Sequence, residues 1–148
     1  MIKKRVWILF AWIALLVVCI PAKAQQRFFN LTAEEVKVDT MLPHFLYSIP
    51  LPENYQDSVY TVTLKYPEYL DMTMTDVTNY NRISGAALPS QVSVDQSIAV
   101  SRRKGHLVVS FCPLVYRNHR YQMLVSFMLD IKARAVKGSV MRQRKNNK

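Results

Sequence analysis

The sequence predicts an all-β fold, an antiparallel sandwich of immunoglobulin-like architecture entered after an N-terminal signal peptide. Three observations predict it. Several short runs alternate apolar and polar residues with the period of two that a half-buried strand needs. Turn-forming residues punctuate those runs. Only 3 glycines occur, and no long apolar segment of helical period follows residue 20, so strands must build the core.

The first element is the export signal. Lys3, Lys4 and Arg5 form a charged start, followed by the apolar run VWILFAWIALLVVCI over residues 6–20. As a helix this run reaches roughly 22 Å, short of the ~30 Å hydrocarbon core. Pro21 then breaks it, and Ala22-Lys23-Ala24 offers the small residues of a peptidase site. Cleavage is expected between Ala24 and Gln25. Val18, before Cys19, is not the small residue that lipoprotein processing wants. After cleavage Cys112 is the only cysteine left, so no intramolecular disulfide is available. The domain organisation expected is a signal peptide over 1–24, a lead over 25–35, a sandwich over 36–133 and a basic tail over 134–148.

Within the domain, Phe45 to Ile49 is apolar between Pro43 and Pro50, and Pro50-Leu-Pro-Glu-Asn54 reads as a turn. From Val59, residues Tyr60, Val62, Leu64 and Tyr66 share one strand face. Residues 67–88 read as a long connection with one helical turn near Asp76 to Tyr80. Val92, Val94 and then Ile98 to Val100 resume the alternation. The strongest signal is a hairpin of LVVSFCPLVY with RYQMLVSFMLDIKA, turned at Asn118 and His119. Its second arm places Tyr121, Met123, Val125, Phe127, Leu129 and Ile131 on one face. Pro113 marks an edge or a bulge in the first arm.

A net charge of +10 suggests a nucleic-acid or membrane binder until it is located. Four basic residues leave with the signal, and seven lie in the last seventeen residues. Residues 25–131 hold nine basic and ten acidic side chains. The domain is thus nearly neutral. No nucleic-acid partner is expected, and membrane contact is expected only through the signal before cleavage.

A search for chemistry finds no catalytic set, no cofactor site and no metal site. His44, His106 and His119 lack the spacing of metal ligands. Cys112, in an apolar run, reads as a small buried residue, several positions from His119 along the same hairpin. Glu34 and Glu35 are adjacent, so they point apart, and Asp71 and Asp76 read as loop carboxylates. Arg102-Arg103-Lys104-Gly105 reads as a solvated turn, and Asn30-Leu-Thr32 as an accidental glycosylation sequon.

Some stretches carry a likeness. They are Pro67-Glu68-Tyr69, Leu88-Pro89, Arg102-x-Lys104-Gly105 before a strand, and the hairpin from Pro113-Leu-Val-Tyr-Arg117 to Arg120-Tyr-Gln-x-Leu-Val-Ser-Phe127. With them the exported part resembles the N-terminal region of type IX secretion system sortases. These PorU-type, gingipain-like cysteine peptidases trim sorting domains from cargo and attach the cargo to anionic lipopolysaccharide. The peptidase domain of that family lies downstream of the matching region, so the resemblance transfers no catalytic residue to this chain. It implies a non-catalytic module that packs on or positions downstream peptidase domains or type IX components. The expected location is the periplasm, outer membrane or surface of a Gram-negative bacterium. The alternative is a secreted adhesive or carbohydrate-binding sandwich, using Tyr55, Tyr60, Tyr69 and Tyr80 as stacking faces.

Overall fold

The computed structural model describes residues 24–136. Apart from Ala24, the expected signal peptide lies outside the described residues, as does the tail from residue 137 onward. The elements in chain order are β1 (Ala24–Asn30), α1 (Ala33–Val36), β2 (Phe45–Pro50), a 3-10 turn (Tyr55–Asp57) and β3 (Ser58–Asp71). Then come α2 (Met74–Ile83), β4 (Asp95–Ser101), β5 (Lys104–Phe111), β6 (Leu114–Arg117) and β7 (Arg120–Ala135).

The strands form two antiparallel sheets, so the expected all-β sandwich is the observed class. The 16-residue β7 organises the first sheet. Along one edge it pairs with β3, from Ser58 opposite Ala135 to Asp71 opposite Gln122. Its other edge is shared by β6, with Leu114 opposite Met123, and by β1, with Ala24 opposite Lys132 and Asn30 opposite Ser126. The second sheet has the order β2-β5-β4.

Between the sheets lies the main core, in which Leu107, Val109, Phe111, Leu124, Phe127 and Leu129 are almost fully buried. An aromatic group ties the layers together. Phe45 stacks on Phe111 at 4.7 Å, Phe29 lies 5.4 Å from Phe127, and Phe45 meets Phe127 edge-on at 5.1 Å. Each buried phenylalanine contributes about 1.5–3 kcal/mol through apolar burial.

Four sequence expectations are corrected by this arrangement. The lead over residues 25–35 is part of the fold: β1 is a sheet strand and Phe29 packs on the core. The hairpin's first arm is split. Its residues through Phe111 belong to the second sheet and Leu114 to Arg117 to the first, so Cys112 and Pro113 form the crossover. A proline suits that position because a chain leaving one ladder for another has no ladder bond to donate.

The third correction concerns the phase of β7. The pairing with β3 slips between Lys65 and Glu68 and again between Glu68 and Tyr69. Tyr66, at φ 53° and 69% exposed, sits in the first of these bulges instead of following Tyr60, Val62 and Leu64 inward. The second slip brings Leu124, rather than Val125, into the core with Phe127. A one-residue slip exchanges the faces of all that follows. Tyr121, Met123 and Val125 therefore face a second cluster, with Val36, Val38, Met72, Tyr80 and Leu114.

That second cluster is roofed by α2, the fourth correction, which is ten residues long rather than a single turn. Thr73 and Asp76 form a capping box at its start: Asp76 N–H donates to Thr73 Oγ1 at 3.1 Å, and Thr73 N–H donates to the Asp76 carboxylate at 3.2 Å. Asp76 also accepts the Val38 N–H at 3.2 Å, pinning the segment after α1 to the helix.

Candidate functional site

Each residue singled out for chemistry has a structural position. Cys112 is half-buried in the crossover, and burial pushes its thiol pKa up, partly opposed by a hydrogen bond from the Leu114 backbone. His119 lies at the exposed tip of the β6–β7 hairpin. Arg117 pairs with Arg120 at that tip, whereas Pro113 accepts the Leu124 N–H at the opposite end. The length of β6 thus separates the thiol from the imidazole, and the fold does not bring them together.

The carboxylates serve local structure. Glu35 accepts the Thr32 N–H at 2.7 Å in the capping box of α1, and this backbone hydrogen bond holds its carboxyl below the usual range. Asp71 accepts from Gln122 Nε2 at 2.9 Å and Arg120 Nη1 at 3.1 Å, and Gln122 is the main cause of its lowered pKa. Asp76 is engaged as a helix cap, so Asp71 and Asp76 do not form a working pair. Among the described residues no group of three or more metal-ligand side chains converges. No described helix is long and apolar enough to cross a membrane.

The tyrosines offered as sugar-stacking faces are mostly inside. Tyr55, Tyr60 and Tyr80 are buried, and half-buried Tyr69 carries the Arg117 guanidinium 4.4 Å above its ring. His106 is half-buried on β5 between Pro50 and Ala99. Arg102 and Arg103 form the exposed two-residue turn from β4 to β5, both at positive φ.

Three polar residues that composition did not single out matter more. Asp130, with 1% of its side chain exposed, lies on the outer face of the first sheet. Lys65 Nζ approaches it at 2.6 Å and Lys132 Nζ at 3.7 Å, and Gln26 is its partner across the ladder. The Lys65 hydrogen bond leads in holding Asp130 below the ordinary carboxylate range, against burial. The available signal was an acid inside an apolar strand; its place diagonal to Lys65 is set by the β3–β7 register.

Arg27 and Gln96 close the two sides of the sandwich. Arg27 Nη1 donates to Tyr47 Oη at 2.7 Å, with its guanidinium 5.1 Å from the Tyr47 ring and 5.5 Å from the Phe29 ring. This seals the β1–β2 side. On the β3–β4 side, Gln96 Nε2 donates to the Tyr60 carbonyl at 2.7 Å and Gln96 Oε1 accepts the Val62 N–H at 3.0 Å.

Grooves among the described residues include the following. One, of about 420 Å³, lies between β1, α1 and the start of β2, and brings His44 and Glu35 to the same rim beside Phe29 and Pro113. A second, of about 390 Å³, is lined by Val59, Arg134, Ala135 and Val136 where β7 ends. A third, of about 410 Å³, runs along the β3–β4 seam. Comparison with protein-family models, with curated proteins and with solved structures gives no match. The functional reading therefore rests on the residues and the geometry.

Proposed function

We propose that this chain is the non-catalytic leading module of an exported, type IX secretion system sortase-like protein, and that it packs on and positions a peptidase domain. One observation carries the packing role. Ala24 pairs with Lys132, and Val136 N–H donates to the Asp57 carbonyl, so the first and last described residues lie at one end of the sandwich. At that end Val59 is 56% exposed and Val136 43% exposed around the groove that they share with Arg134. Apolar surface beside a chain exit suits a neighbouring domain better than solvent. The immunoglobulin-like type and the envelope location belong to the same proposal. They draw on the strand pattern and on the signal-like residues up to Ala24.

The test follows cargo-cleaving peptidase activity during native purification of the chain from cell envelopes. The activity should co-elute with the chain, be unchanged in Cys112→Ser, and dissociate in Val59→Glu. Cleavage by the purified chain unaided overturns the reading, as does cargo-cleaving activity that never travels with it.

A further inference from the structure

The two long sides of the sandwich are finished differently, and the difference has a chemical meaning. β3 is the terminal strand of its sheet among the described residues. In an antiparallel ladder, backbone groups turn alternately toward and away from the partner strand. Gln96 takes the Tyr60 carbonyl and the Val62 N–H, so these groups point away from β7, and Leu64 follows the same alternation. The Gln96 amide does for β3 what one residue of an adjacent strand would do.

β4 supplies an apolar lining for such a strand. Ile98 pairs across the ladder with the core residue Leu107, and Val100 pairs with Gly105, so both face the interior side of their sheet. Yet Ile98 is 45% exposed and Val100 61% exposed, and among the described residues the first sheet ends at β3. The groove of about 410 Å³ beside Ile98 is bounded by Ser58, Tyr60, Gln96, Ile98 and Leu107. The stretch of β3 from Ser58 to Leu64 holds no charge, proline or glycine, the composition that an edge open to pairing has.

We propose that this seam is a strand-acceptor site. It takes one extended peptide segment of another polypeptide, antiparallel to β3, with apolar residues at alternate positions and acidic residues at its C-terminal end. Direction follows from charge. Tyr55, just before β3, packs against Gly105, the partner of Val100, so the start of β3 lies at the Val100 end of β4. Arg102 and Arg103 follow that end of β4, and Arg134 is the register partner of Val59 there. Asp95 stands at the other end of β4. Asp57 also stands at the first end, where the three arginines outnumber it, and Lys65 at the second is bound to Asp130, so an added antiparallel strand ends at the more basic side and begins at the side of Asp95.

A second copy of the chain is a poorer occupant. Antiparallel pairing through two β3 edges places both second sheets on the same face. Gln96 of each β4 already occupies its own β3 edge, so the two would compete for one space. The proposed occupant is a single strand, bound through main-chain hydrogen bonds with alternate side chains in the groove. This proposal does not depend on the packing role at the Val59 and Val136 end.

The test uses the protein as purified from cells and a fluorescein-labelled peptide, Thr-Val-Thr-Val-Thr-Val-Asp-Asp, followed by fluorescence anisotropy. Saturable binding is expected, with the Leu64 amide exchanging more slowly in the complex. Moving the two Asp residues to the N-terminus should weaken binding, and so should N-methylation of the peptide backbone. Ile98→Glu places a charge in the groove, outside the buried core, and should weaken binding about tenfold or more. Gln96→Ala removes the competing amide and should strengthen it. Thermal melts of both variants establish that they fold. No binding by any of the peptides, binding indifferent to Ile98→Glu in a folded variant, or a stable dimer built through β3 would each overturn the proposal.

Discussion

Gly105 carries no side chain because the Tyr55 ring occupies the place where one would sit. A Cβ built there lies 2.8 Å from two ring carbons. Gly105 also offers its carbonyl to the Leu51 N–H at 2.9 Å, so the backbone cannot easily move aside. Gly105→Ala is expected to cost about 1–3 kcal/mol by overpacking. A thermal melt checks this, and Tyr55→Leu in the same chain should recover part of the loss. At the same scale, Asp130 makes stability depend on acid. Its folded pKa is lowered, so its contribution is complete above the unfolded aspartate value of about 3.9. It disappears as pH falls through the lower folded value. Urea melts between pH 7 and pH 2 should show an acid limb that Asp130→Asn flattens. An unchanged limb would mean that the Lys65 contact contributes nothing.

Between the strands, the chain reverses twice through two-residue turns with positive φ at both positions. They are Arg102 (49°) with Arg103 (64°), and Asn118 (50°) with His119 (60°). Such turns match the twist of a hairpin, but left-handed backbone costs a residue with a Cβ about 1–2 kcal/mol. His119→Gly should therefore raise the stability by about 1 kcal/mol and lift the melting temperature by several degrees. No change would place the strain elsewhere in the turn. The Asn118 signal was legible because asparagine tolerates this conformation. The Arg102-Arg103 turn was legible only as a turn, since neither arginine announces its backbone geometry. The two capping boxes, Thr32 with Glu35 and Thr73 with Asp76, were also written in the sequence as a hydroxyl three residues before an acid. The helical turn read around Asp76 to Tyr80 was the middle of α2.

At the scale of the whole molecule, β1 completes both the first sheet and the aromatic core. Phe29 touches the rings of Phe45, Tyr47 and Phe127. Deleting Gln25 to Asn30 should therefore expose apolar dye-binding surface and abolish a cooperative melt, rather than trim a dispensable lead. Cleavage between Ala24 and Gln25 would remove a single ladder position, so it is compatible with a folded β1. N-terminal mass analysis of exported protein should find Gln25 first.

The sequence by itself determined the class of this protein. Period-two runs such as Tyr60-Val62-Leu64 and Phe127-Leu129-Ile131 can bury one face only as strands. The neutral body between basic ends was likewise countable. Only the tertiary structure decided that Phe111 and Leu114 belong to different sheets, that the second slip in the β3–β7 register turns Met123 away from Phe127, and that Gln96 reaches across to β3. The physical reason is one of range. Side-chain alternation is a local property of the chain. Register, sheet membership and edge exposure are set by which distant strands lie alongside, and a one-residue slip there reverses every face that the local pattern assigns.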